Sequence, residues 1–133
     1  AAGKVVLTIG ANFGLVDGAV TELDAPAFIA EGRTFVPVRF IAEALGAEAD
    51  WEPKDAAVET VFLTWDDMEI IIGIGDEFLT VTKDGEAEVF EFDGAARIVD
   101  GRTFLPFRAI GEAFGVTVDY GPKDGPVEWV SFE

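Results

Sequence analysis

Apolar and polar positions along this chain alternate in two distinct rhythms. Val5-Val6-Leu7-Thr8-Ile9 and Ile70-Ile71-Ile72 are almost continuously apolar, the pattern of strands buried on both faces. They anchor predicted strands at Lys4–Ile9 and Met68–Ile74. Asp17-Gly18 and Asp84-Gly85 mark hairpin turns, since glycine takes positive φ without penalty. Phe78–Thr82 and Ala87–Phe92 flank the second of these turns. Short bridges follow at Phe28–Ala30 and Arg97–Val99, with turns at Glu31-Gly32 and Asp100-Gly101. The rhythm then changes. Val38, Ile41, Ala42 and Leu45, and again Phe107, Ile110, Gly111 and Phe114, fall at i, i+3, i+4 and i+7, one helical stripe each. Pro37 and Pro106 suit a first helical turn, and Gly46 and Gly115 stand where a C-cap takes a left-handed residue. Strands are predicted at Ala47–Trp51 and Val58–Leu63, joined through Pro53-Lys54-Asp55. Pro122-Lys123-Asp124 repeats that turn.

The recurrence is a true internal repeat. Residues 32–63 and 101–132 are identical at 17 of 32 positions without a gap. Upstream the offset shortens from 69 to 67 and then 65. Steps of two residues keep every strand side chain on its own face. The expected class is α+β: residues 1–133 form a single domain of two homologous units, about 4–64 and 68–133. Each unit is expected to be an antiparallel sheet curled around one short helix.

Composition narrows the chemistry. The 133 residues carry a formal charge of −17, are 50% apolar, and include no cysteine and no histidine. So many core formers argue against disorder. The acidity opposes binding to nucleic acid and to anionic membrane surfaces, and no apolar run reaches the length of a membrane span. Without His and Cys there is no Ser-His-Asp or Cys-His nucleophile system and no N/S-ligated metal centre. Ser131 is the only serine, and Asn12 and Met68 are the only residues of their kinds. Few thermolabile side chains suit a thermophile; the acidic excess suits a saline medium equally. The opening Ala1-Ala2-Gly3 is what signal-peptide removal leaves, so a secreted, mature chain is expected.

The string GRTFVPVRFIAEALGAEADWEPKDAAVET resembles the repeat of the copper amine oxidase N-terminal-like, or stalk, domain family. Gly32, Arg33, Thr34, Pro37, Arg39, Ile41, Glu43, Gly46 and Trp51 carry the likeness, and the second copy matches with Tyr120 in place of the Trp. The resemblance implies a five-stranded antiparallel sheet curled around a helix, without the copper site of the separate catalytic domain. It also implies a bacterial, secreted or cell-surface spacer or assembly element.

Several residues are candidates for a role. Arg39 with Glu43, and Arg108 with Glu112, stand at i, i+4 and are expected to form helix-surface ion pairs. With Arg33 and Arg102 they are read as structural pins rather than an anion site. Gly32, Gly46, Gly101 and Gly115 complete that structural motif with Pro37 and Pro106. Trp51 and Tyr120 are expected at the core edge, whereas Trp65 falls at the repeat seam or on the surface, in a linker-like Thr64–Asp67. Trp65 and Trp129 are the candidate carbohydrate-stacking pair. Acidic clusters at Asp66-Asp67-Glu69 and Asp76-Glu77 make calcium the one cofactor to consider. Because no D-x-[DN]-x-[DN]-G loop is present, a solvated acidic face is preferred. Val5, Val6, Leu7, Thr8 and Ile9 are the candidate assembly strand, able to add to a neighbour's sheet edge.

These readings favour a non-enzymatic, secreted structural protein, a self-assembling subunit of an extracellular filament or cell-surface layer. Its expected partner is itself. The alternative is an extracellular module binding cell-wall polysaccharide through surface Trp residues.

Overall fold

The computed structural model describes residues 4–23, 25–65 and 67–133. The first repeat runs β1 (Val5–Thr8), β2 (Phe13–Val16), β3 (Ala19–Glu22), β4 (Phe28–Ala30), β5 (Arg33–Pro37), α1 (Val38–Ala44), β6 (Glu48–Glu52) and β7 (Thr60–Trp65). The second runs β8 (Met68–Gly73), β9 (Phe78–Lys83), β10 (Glu86–Glu91), β11 (Arg97–Val99), β12 (Arg102–Pro106), α2 (Phe107–Phe114), β13 (Val118–Gly121) and β14 (Trp129–Phe132). Antiparallel sheets with two short helices bear out the α+β class.

Local chemistry sets the element ends. Asp17-Gly18, Glu31-Gly32, Asp84-Gly85 and Asp100-Gly101 have positive φ at both residues, the geometry that lets a two-residue turn follow the strand twist. Pro37 and Pro106 sit one step earlier than expected, closing β5 and β12 in extended conformation as the helix N-caps. Their fixed φ suits the strand end, and the lost N–H falls where the ladder stops. Val38, Ile41, Ala42, Phe107, Ile110 and Phe114 are buried, as the stripe requires. Gly115 adopts the left-handed C-cap conformation. Trp65 belongs to β7 and pairs with Met68 rather than lying in a linker.

The sheets correct the expectation that each unit curls its own sheet around its own helix. One five-stranded sheet has the order β13-β14-β1-β2-β3, the other β10-β9-β8-β7-β6, and a four-stranded sheet runs β11-β12-β5-β4. Every sheet takes strands from both repeats. The physical reason lies between β7 and β8. Trp65 pairs directly with Met68, so only two residues join the strands, and a link that short makes sequence neighbours pair. β7 is then flanked by β6 and β8, and the β1 edge that it would have covered is filled by β14 instead.

The four-stranded sheet holds the centre. β5 and β12 pair antiparallel with Val36 opposite Leu105 and Phe35 opposite Pro106. Val36 and Leu105 are equivalent positions of the two repeats, so an approximate two-fold axis passes between them. Both are fully buried, and one continuous core joins them to Ile41, Ile110, Leu63, Ile72, Leu7 and Phe132. Phe28 stacks on Phe35 at 5.4 Å and meets Phe104 of the other repeat edge-on at 4.9 Å.

Leu105→Ala removes a side chain from this axis and is expected to cost about 2–5 kcal/mol. Urea unfolding followed by Trp fluorescence and by circular dichroism should lose midpoint together in both signals. Separate transitions for the two signals would show that the halves do not share a core.

Candidate assembly interface

β1 is the middle strand of its sheet. It pairs with β2 on one side (Val5 opposite Val16) and with β14 on the other. Along the β14 seam Val5 faces Phe132, Val6 faces Ser131, Leu7 faces Val130 and Thr8 faces Trp129. Ile9 extends the ladder by donating its backbone N–H to the Glu128 carbonyl at 2.9 Å. Val5, Leu7, Val130 and Phe132 are essentially inaccessible to water. Burial of side chains of this size stabilises by about 1.5–3 kcal/mol each, an upper range because unfolded chains already bury some apolar area. The seam is therefore part of the core, and the candidate assembly strand is not a free edge.

The seam has a covalent twin. Thr60 faces Gly73, Val61 faces Ile72, Phe62 faces Ile71 and Leu63 faces Ile70 in the β7–β8 ladder. Moving Thr60 by 69 gives Trp129, and moving Gly73 back by 65 gives Thr8, which is the pair seen between β14 and β1. The same shifts carry Val61–Ile72 onto Val130–Leu7, Phe62–Ile71 onto Ser131–Val6, and Leu63–Ile70 onto Phe132–Val5. One register thus occurs twice. The chain runs through one joint, whereas the other is held only by hydrogen bonds and apolar packing.

Charged side chains fasten the repeats to each other around the central sheet. Arg33 donates to the Asp93 carboxylate at 2.5 Å, and Arg97 donates to that of Glu31 at 2.8 Å, each reaching from one repeat to the other. The Arg97 guanidinium also lies 4.1 Å from the Phe35 ring centroid. The repeated Gly-Arg-Thr signal marked Arg33 as structural, but nothing in it pointed to Asp93, Glu31 or Arg97 as cross-repeat partners. Bonding to Arg97 holds the Glu31 carboxyl below its ordinary pKa. Lys54 does the same for Asp50, helped by the Trp51 backbone N–H, and Lys123 with the Tyr120 N–H for Asp119.

The helix arginines depart from expectation. Among the described residues, no ion pair joins Arg39 to Glu43 or Arg108 to Glu112. Arg39 instead covers the Trp51 ring at 4.2 Å, and Arg108 stands 5.7 Å from that of Tyr120. Lys123 covers Tyr120 from 4.1 Å, and Tyr120 meets Phe107 edge-on at 5.7 Å. A guanidinium on an aromatic face gains the ring quadrupole, whereas an exposed i, i+4 pair gains little. Arg39 is held there with its Nε buried and without a hydrogen-bond partner among the described residues.

The two candidate sugar-stacking residues lie in different sheets. Trp65 donates its indole N–H to the Leu45 carbonyl at 3.2 Å and meets Phe114 edge-on at 5.1 Å, bridging the repeats. Trp129 is 38% exposed. Its indole lies against Gly121, where a Cβ would come within 2.6 Å of Nε1. The structure does not bring the pair together. Of the acidic clusters, Asp66 lies outside the described residues, as do Ala1, Ala2 and Gly3. Among the described residues no three acidic side chains converge on one point.

The copper amine oxidase N-terminal domain family matches residues 2–60 and again 15–128, and the chain belongs to this family. In copper amine oxidases it is a non-catalytic, stalk-like domain. No curated protein and no solved structure matches the chain.

Glu31→Gln is expected to lower the urea midpoint at neutral pH. Because the Glu31 pKa is lower folded than unfolded, its contribution is complete above the ordinary carboxylate range and is lost as pH falls through the folded value. The parent and E31Q curves should therefore converge once pH has fallen below the folded Glu31 value. A midpoint difference that persists there would assign the effect to something other than the charge on Glu31.

Proposed function

We propose that this chain is a non-enzymatic structural subunit, secreted by a bacterium, whose copies assemble into an extracellular filament or surface layer through the segment Val5–Ile9. The observation carrying this reading is the β1–β14 seam. A strand essential to the core is held to the second repeat without a covalent link, in a register that the chain elsewhere closes with a hairpin. The family supports a non-catalytic, stalk-like role. The outer strands support it as well. β6 carries Glu48, Asp50 and Glu52, and β10 carries Glu86, Glu88 and Glu91, charges that discourage indiscriminate edge pairing.

The charge of −17 opposes assembly. Copies repel one another over the Debye length of about 10 Å at 0.1 M salt and about 3 Å at 1 M.

Electron microscopy and light scattering over a range of concentrations should show filaments or sheets of one subunit repeat, promoted by salt. A monomer at every concentration, with and without 1 M salt and calcium, would contradict the assembly reading. Binding to a glycan array lost in Trp129→Ala would favour the polysaccharide-binding alternative.

A further inference from the structure

We infer that copies of this chain join by exchanging the three-stranded meander β1–β2–β3, so that β14 of one copy takes β1 of the next in the register of the β7–β8 hairpin. The inference rests on the self-assembly reading and specifies its joint. The partner is a second copy of the same chain. The acceptor is β14 rather than an outer edge at β3, β6, β10 or β13.

Three observations carry it. First, β7 cannot serve as the acceptor, because two residues tie it to β8 and β6 fills its other side. A β1 strand released from its own β14 therefore finds a matching edge only on another copy's β14. Second, the joint between copies would contain nothing new. Val5, Leu7, Val130 and Phe132 would be buried as they are in the closed chain, opposite the same residues. At the seam the closed and exchanged forms differ only in whether one chain or two supply the pair, which is the condition under which domain swapping is inexpensive. Third, the meander is attached to the rest of the first repeat through the single connection between β3 and β4, which contains Pro26. Its own pairing, Val5–Val16 and Leu15–Val20, is internal and travels with it. The Gly10 N–H to Ala27 carbonyl bond, 2.9 Å, is one local contact that must be remade.

The joint is directional, since β14 is offered by one end of a copy and β1 by the other. Repeated, it propagates head to tail, and each junction between copies reproduces the β7–β8 junction within them. Such a fibre would alternate covalent and exchanged joints of one register.

The chain lacks cysteine, which makes the test direct. V6C and S131C are made as separate single variants, because Val6 and Ser131 face each other across the seam. A closed copy of either variant has no internal thiol partner. The two are unfolded, mixed, refolded together at high concentration and oxidised. Exchange predicts that the V6C–S131C disulfide exceeds each homodisulfide at least about tenfold, because in-register pairing raises the local thiol concentration far above that in solution. The same variants refolded apart and mixed afterwards should give little of it. T8C with W129C, the neighbouring exposed pair, repeats the test where the seam tolerates change more readily. Multimers in which both pairs show only the statistical two-to-one-to-one distribution would overturn the exchange and leave assembly by another surface. Absence of multimers under every condition would overturn both the exchange and the assembly reading.

Discussion

The architecture depends on the shortness of one connection. Two residues separate Trp65 from Met68, and strands joined so closely pair with each other. That pairing takes β7 away from its own repeat, and everything else follows from it. β1 must find a different partner, β14 supplies it, and the two repeats fold as strands of common sheets. The central pairing of Val36 with Leu105 sits on the resulting two-fold axis. Trp65 and Phe114 then meet across the repeats, as do Arg33 with Asp93 and Arg97 with Glu31.

Much of this was legible in the sequence, and the part that was not has a definite cause. Periodicity marked both helices and their buried stripes, because a stripe reports only the local 3.6-residue repeat. Asp-Gly marked the hairpins because few other residues accept positive φ. The 69-residue offset showed two units. None of these signals says which copy of a strand pairs with which. β7 and β14 are equivalent strands of the two repeats, with inward Val61 and Leu63 matched by Val130 and Phe132, so the repeat itself does not choose between them as partners of β1. Only the length of the Trp65–Met68 link distinguishes them, and reading Thr64–Asp67 as a linker hid its consequence.

An apolar run singled out Val5–Ile9 as the candidate assembly strand, and the structure pairs it on both sides with β2 and β14. Val5–Ile9 reads as a strand buried on both faces, but only Val5 and Leu7 are buried, while Val6 is half-buried and Thr8 exposed, so one face alone meets the core. Its hydrogen-bonding edges, which decide whether it can add to another sheet, are not visible in a hydropathy pattern. The repeat marked its partners Val130, Ser131 and Phe132 only as the counterparts of Val61, Phe62 and Leu63, not as neighbours of β1. The helix arginines show a similar limit. Spacing placed Arg39 beside Glu43, but the ring of Trp51 arrives from a strand, and tertiary neighbours decide between two weak attractions.

The central claim is that the β14–β1 pair is the structural equivalent of the β7–β8 hairpin. A circular permutant tests it most directly. Glu133 is joined to Lys4 through Trp-Asp-Asp-Met, the tetrapeptide that links Thr64 to Glu69, and the chain is opened between Asp66 and Asp67. Equivalence predicts the parent circular dichroism spectrum and a single urea transition at nearly the parent midpoint. A permutant that fails to fold, or that unfolds in two separate steps, would contradict the account.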